Sequence, residues 1–337
     1  MLIFSEAAAM KKYLVTGATG FLGRAVAAEL LAHGAMVYAL VLPDDPLAAA
    51  LPQGVTPVIG DVCDVPSLAR LFSFSDSETI VIHCAGIVSI SSQPGKDLYR
   101  VNVEGTRNIL SQCFLHNVGK LVYVSSVHAI TEAPPGVVMT EPASVSASLV
   151  SGHYAKSKAM ATSLVIDAIR NRLTASLVFP SGIIGPGDAG EGGITQMLSS
   201  FLAGKLPFAV RGGYDFVDVR DAANGIVSCA ERGKPGSGYI LSGHYASIRE
   251  ILELVKKETG LKRAVRCLPI GLAKRIAPYY ERISEKKSKK PFFTPYSIAV
   301  LASNGLFSHQ AATAAFGYAP RPLPETLRDT LLWLRGE

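Results

Sequence analysis

Three glycines at a fixed spacing constrain this chain more than any other feature. Gly17, Gly20 and Gly23 lie in the run Thr16-Gly17-Ala18-Thr19-Gly20-Phe21-Leu22-Gly23, between an apolar segment at 12–16 and a segment at 24–32 with Val26, Leu30 and Leu31 on one helical face. An apolar run followed by a helical period predicts a buried parallel strand feeding a helix. At such a joint each glycine has its own task. Gly17 turns the chain without a Cβ penalty, Gly20 lets a pyrophosphate approach the backbone, and Gly23 lets the helix pack closely on the strand. The unpaired N–H groups and dipole at the helix start then favour phosphate. Glycine-rich turns also arise for structural reasons alone, but the strand before and the helix after this one strengthen a dinucleotide site. Its expected contacts are Gly17, Thr19, Gly20, Phe21, Leu22 and Gly23.

The alternation continues downstream. Runs rich in Val, Ile and Leu at 36–42, 56–59, 79–85 and 120–125 read as strands, with helical patterns at 65–72 and 101–117 between them. A long helix at 154–172 and a strand at 175–179 follow. Strands alternating with helices predict an α/β fold, a doubly wound parallel sheet covered on both faces. From Gly185 glycine and proline become dense, 216–219 and 239–241 read as returns to the sheet around a helix at 222–232, and 247–259, 270–284 and 291–334 read as mostly helical. The division expected is a flexible extension at 1–10 and a nucleotide-binding domain at 11–184 with 216–243 returning to it. A smaller, mostly helical substrate lobe takes 185–215 and 244–337. Ligands of such sheets bind beyond the carboxyl ends of the strands, which places chemistry in the cleft between the lobes.

Bulk properties narrow the partners. With 337 residues and 48% of them hydrophobic, the chain can bury a large core. The net charge of +6 owes much to Lys286, Lys287, Lys289 and Lys290. That run lacks aromatic interleaving and a basic helix, so it reads as a solvated loop and not a nucleic-acid contact. The adjacent segment 272–283, with Tyr279 and Tyr280, reads as ordinary packing, a lid or a peripheral membrane contact. No run is long and unbroken enough for a transmembrane helix, and the first ten residues lack the basic start of a secretory signal. Five cysteines without a C-x-x-C pair imply free thiols in a reducing, cytoplasmic setting. The seven histidines show no metal spacing, so no metal is expected; His128 and His153 stand near the residues considered next, as substrate contacts or as structural groups.

Tyr154 and Lys158 share one helical face, and Ser125-Ser126 precede them at the end of a strand. A phenol is a poor base at neutral pH, and a nearby cation favours its phenolate. Such a Tyr can exchange a proton with a substrate oxygen while hydride moves between the adjoining carbon and a nicotinamide. Alone the pair is more often a helix-surface contact; beside the glycine loop and Ser126 it predicts a Ser126, Tyr154, Lys158 catalytic set.

These residues, with Gly60-Asp61-Val62, His83-Cys84-Ala85-Gly86, Asn102-Val103-Glu104-Gly105-Thr106, Tyr123-Val124-Ser125-Ser126 and 182–186 in the same order, resemble the extended short-chain dehydrogenase/reductase family across 13–333. The resemblance implies a Rossmann-type domain in which Ser126 and Tyr154 act on the substrate oxygen and Lys158 holds the nicotinamide ribose and lowers the Tyr pKa. Asp61 and Val62 would lie against adenine, Ala85 and Gly86 would line the cofactor track, and backbone near Pro180 and Ile183 would frame the nicotinamide. Asn102 would tie strand ends together. Nucleotide-sugar epimerases and dehydratases of the family usually carry an Asn in Asn-x-Tyr-Gly-Pro and an Arg before Asp-Phe. Here 182–186 reads Gly-Ile-Ile-Gly-Pro, and Tyr214 precedes Asp215-Phe216.

The segment 179–188 instead resembles the 3β-hydroxysteroid dehydrogenase and dihydroflavonol reductase branch. This implies an NAD(P)-dependent oxidoreductase for a secondary alcohol or ketone on a bulky apolar molecule. Ile87, Val88, Ile90, Ile184, Met197, Phe201, Leu206 and Phe208 are candidates for an apolar pocket or for core. A nucleotide-sugar epimerase/dehydratase with tightly bound NAD is the alternative, and a non-catalytic dinucleotide-sensing regulator a lesser one. Leu42-Pro43-Asp44-Asp45 after the second strand offers no Arg for a 2′-phosphate, which favours NAD over NADP, although Arg24 or Arg70 could substitute. Helices at 103–117 and 155–172 lie where the family pairs into homodimers.

Overall fold

The computed structural model describes residues 10–188, 192–206, 208–286 and 293–336. The extension at 1–9 and Lys287, Lys289 and Lys290 of the basic run lie outside the described residues. The first half runs β1 (Lys12–Thr16), α1 (Phe21–Ala32), β2 (Met36–Val41), β3 (Thr56–Ile59), α2 (Val65–Phe72), β4 (Ile80–His83), α3 (Thr106–Leu115), β5 (Lys120–Val124), α4 (His153–Arg170) and β6 (Ala175–Pro180). After it come β7 (Gly182–Ile184), α5 (Gly193–Leu202), β8 (Ala209–Val210), β9 (Gly213–Asp218), α6 (Val219–Arg232), β10 (Gly238–Leu241) and β11 (His244–Ser247). The chain ends with α7 (Ile248–Thr259), β12 (Cys267–Leu268), α8 (Ile270–Lys286), α9 (Pro295–Ala302), α10 (Gln310–Phe316) and α11 (Leu323–Arg335).

Seven strands form one parallel sheet in the order β10-β6-β5-β4-β1-β2-β3. Every residue of β4, β5 and β6 is buried, as a sheet covered on both faces requires. One covering layer packs Val26 and Leu30 of α1 with Ile226 and Val227 of α6, and the other joins Leu68, Ile109 and Val165 of α2, α3 and α4. Strand order reverses at β1, where Thr16 pairs with His83 on one side and with Leu40 on the other. The crevice of a doubly wound sheet opens at such a switch point. Among the described residues no helix is long and apolar enough to cross a membrane.

Two elements depart from the expected pattern. The helix predicted at 101–117 opens with a π-helical turn, Arg100–Gly105, before α3. At Gly105 a Cβ would come within 2.7 Å of Val62 Cγ2, so this turn closely abuts the end of β3. The segment at 216–219, expected to rejoin the main sheet, lies in β9 of a separate sheet ordered β11-β9-β7. β10 occupies the place beside β6 instead, so only the later part of 216–243 extends the main sheet. β7 runs parallel to β9 and carries the chain from the main sheet into the smaller one directly after Pro180.

Candidate active site

The glycine loop is fixed from below by a polar chain. Gly17 has φ of +69°, and a Cβ there would lie 2.7 Å from the Ala85 backbone. At Gly23 a Cβ would collide with the Gly17 carbonyl. Gly20 is exposed at the N-cap of α1, where no side chain caps the helix N–H groups. Beneath, Thr16 Oγ1 lies 2.6 Å from His83 Nδ1 and accepts from Ala85 N at 3.2 Å. His83 Nε2 lies 3.1 Å from Thr106 Oγ1, which donates to the Asn102 carbonyl at 2.7 Å. The Thr106 proton is thereby used, so His83 carries its proton on Nε2 and accepts at Nδ1 from Thr16. Burial pushes the His83 ring down to about 3, consistent with a neutral bridge.

Asn102 carries the chain onward to α4. Its Oδ1 accepts from Ile87 N at 2.7 Å, and its Nδ2 donates to the Ile87 carbonyl at 3.0 Å and to Ser157 Oγ at 2.9 Å. Ser157 Oγ donates to the Tyr154 carbonyl at 2.8 Å. Thr16, His83, Thr106, Asn102 and Ser157 thus link the glycine loop to the helix that bears Tyr154 and Lys158. Ser157 carried no sequence signal, because a serine inside a helix is ordinarily unremarkable.

Lys158 turns toward the sheet. Its Nζ donates to the Val124 carbonyl at 2.9 Å and stands 5.4 Å from the Tyr123 ring centroid. Burial pushes the ammonium down to about 8. A Cβ at Gly86 would lie 3.3 Å from both Lys158 Nζ and Asn102 Oδ1, so the missing side chain keeps the space beside the ammonium open. Tyr154 is buried, which raises its phenol, while a hydrogen bond with Ser126 acts in the opposite direction. Ser126 begins a 3-10 turn over Val127–Ala129, and its Oγ accepts from His128 N at 3.3 Å.

The uncapped start of α1, the open space at Gly86 and the unused N–H donors of Lys158 fit a dinucleotide's phosphates and ribose. Asp61 follows β3 next to the β2 tip, since Gly60 N donates to the Val41 carbonyl at 2.8 Å. Its Oδ1 accepts from Cys63 N at 2.8 Å. Val62 is buried, Ala85 and Ile183 are half-buried, and Pro180 ends β6. At the β2 tip Leu42 is exposed, and Asp45 Oδ1 accepts from Leu47 N at 2.9 Å. Arg24, a candidate for a 2′-phosphate, donates instead to the Gly187 carbonyl at 2.6 Å.

Sequence reasoning missed an aromatic wall. His128 Nε2 lies 3.3 Å from the Tyr214 hydroxyl and Nδ1 lies 3.1 Å from the Tyr296 hydroxyl. The ring stacks on Tyr214, centroids 5.5 Å apart, and meets Tyr154 edge-on at 5.6 Å. Burial pushes His128 down to about 4, so it is a neutral bridge between two phenols. Tyr296 also fills the space a side chain at Gly152 would occupy. His153 instead meets the Tyr99 hydroxyl at 3.1 Å. Of the pocket candidates, Ile184, Met197 and Phe201 belong to the core, whereas Ile87 and Val88 are exposed.

The profile of the NAD-dependent epimerase/dehydratase family matches residues 13–241. The chain belongs to this family. As a member of its extended short-chain dehydrogenase/reductase group, it is 28% identical over 325 residues to sterol demethylase protein B of Methylococcus capsulatus, covering 96% of this chain and 98% of that protein. It is 29% identical over 330 residues to human sterol-4-alpha-carboxylate 3-dehydrogenase, decarboxylating, covering 92% and 84%. Among solved structures, gox2253 matches with a TM-score of 0.83 and 32% identity, covering 97% and 98%. UDP-glucose 4-epimerase of Thermus thermophilus, in complex with NAD, shares the fold with a TM-score of 0.76 at 23% identity, covering 96% and 99%. In this structure Ser126 hydrogen-bonds Tyr154, Lys158 lies one helical turn beyond Tyr154 and reaches the Val124 carbonyl, and His128 is held by Tyr214 of β9 and Tyr296 of α9.

Proposed function

We propose that this chain is an NAD(P)-dependent oxidoreductase that interconverts a secondary alcohol and a ketone on a bulky apolar substrate resembling a 3β-hydroxysteroid. One observation carries the choice over a nucleotide sugar. Where nucleotide-sugar enzymes carry an arginine before Asp-Phe, Tyr214 is buried against His128, so that wall is aromatic and uncharged. The sterol-directed names of the two relatives point the same way.

When bound, the nicotinamide supplies the hydride acceptor or donor. Tyr154 Oη delivers a proton to the ketone oxygen in reduction and removes the alcohol proton in oxidation, while Ser126 Oγ hydrogen-bonds that oxygen. Lys158 would hold the ribose, and the glycine loop with the α1 N-terminus would hold the pyrophosphate. Asp61, Val62, Ala85, Gly86, Pro180 and Ile183 would line the remaining track. The β2 tip, with Asp44 and Asp45 and without an arginine, favours NAD over NADP. A homodimer through α3 and α4 in a reducing, cytoplasmic compartment completes the reading.

The test is nicotinamide absorbance with NAD or NADP and a panel of hydroxysteroids. Substrate-dependent reduction is expected, with a loss of roughly a hundredfold or more in Tyr154→Phe and retained cofactor binding. Undiminished turnover in that variant would sink the mechanism. Conversion of a nucleotide sugar with no net change in the cofactor would move the chain to the epimerase branch.

A further inference from the structure

Helix α8 presents a surface that the proposed reaction does not use. Its inward face is Ala273, Ala277, Glu281 and Ser284, all buried, and Glu281 Oε1 accepts from Ser92 N at 2.9 Å. Its outward face carries three large apolar side chains, Leu272, Tyr279 and Ile283, exposed by 46%, 68% and 53%. Positions i, i+7 and i+11 fall on one stripe of an α-helix, spanning about 16 Å at 1.5 Å per residue. Next to this stripe around the helix lie Arg275 and Arg282, both exposed. Among the described side chains of α8 the one carboxylate, Glu281, is turned inward.

We propose that this face of α8 docks the protein on an anionic lipid surface, with Leu272, Tyr279 and Ile283 entering the headgroup boundary and Arg275 and Arg282 pairing with lipid phosphates. An exposed apolar stripe edged by cations is the arrangement of an interfacial helix lying in the membrane plane. The occupant is set by charge. A second copy would bring the same arginines to the contact in a chain whose net charge is already +6, whereas an anionic bilayer attracts each cation. The surface stands on exposure and charge alone, so it holds or fails independently of the substrate.

The experiment is sedimentation of the full chain with extruded vesicles, either equal parts phosphatidylglycerol and phosphatidylcholine or phosphatidylcholine alone. The unaltered protein should pellet with the anionic vesicles and be released by salt. Leu272→Ser with Ile283→Ser, and separately Arg275→Gln with Arg282→Gln, should each lower partitioning roughly tenfold or more. These side chains are exposed, so both variants should keep the parent's thermal midpoint, cofactor binding and turnover of a detergent-dispersed substrate. Protein that stays in the supernatant with anionic vesicles at low salt overturns the proposal, as does variant binding equal to the parent's. A particle mass that halves in the Leu272 variant would assign the face to a second copy and overturn it equally.

Discussion

At Gly17, Tyr154 and Lys158 the placement was legible because it is local. A glycine at a strand-to-helix joint and a phenol four residues before an ammonium declare themselves in sequence. His128 does not, because its partners Tyr214 and Tyr296 lie 86 and 168 positions away. The bond from Lys158 to the Val124 carbonyl was also hidden, since that carbonyl lies 34 positions earlier in the chain. Two buried imidazoles give the molecule a defined weakness toward acid. His83 and His128 are pushed from about 6.5 to about 3 and about 4. As pH falls below 6.5 the unfolded chain takes up protons that the folded one refuses, so stability decreases steadily toward pH 4. Urea denaturation at a series of pH values should show the midpoint falling over that interval, and His128→Phe should flatten part of the fall. A midpoint constant from pH 7 to pH 4.5 would contradict this account.

The strands and helices of the first half were readable from period and composition, with most boundaries displaced by a residue or two and the start of α1 by three. The π-helical turn at 100–105 was not, since it accommodates Val62 and the Asn102 bonds, which are tertiary. β9 was misplaced for a similar reason. A buried apolar strand looks alike in either sheet, and only its pairing with β7 and β11 distinguishes them. Lys120 shows how a charge can serve an element that is distant in sequence. From the start of β5 its Nζ donates to the carbonyls of Cys229, Ala230 and Gly233 at 2.6, 3.1 and 2.7 Å, completing the C-terminus of α6. Burial disfavours the ammonium, yet three carbonyls and the negative end of the helix dipole hold it. Lys120→Met keeps the aliphatic stem and removes all three bonds, leaving the Cys229 carbonyl with only its bond from Gly233 N. It should cost about 2–3 kcal/mol in urea denaturation, whereas a cost near zero would mean that desolvation of the charge cancels its bonds.

Over the whole molecule, the parallel sheet followed from the alternation of strands and helices, while the packing of Tyr214 and Tyr296 on His128 did not. The outer surfaces of α3 and α4 leave Phe114, Leu115 and Met160 exposed by 47%, 74% and 41%. If these helices pair two copies, sedimentation velocity should give a dimer that Phe114→Glu with Leu115→Glu converts to a monomer with an intact fold. A monomeric parent protein would refute the pairing. The clamp on His128 also imposes an order in time. The last strand of the nucleotide-binding sheet ends at Leu241, but Tyr296 lies at the start of α9, well beyond it. A ribosome that has released the sheet therefore still holds the segment bearing Tyr296, and His128 gains its second phenol only when nearly the whole chain has been made.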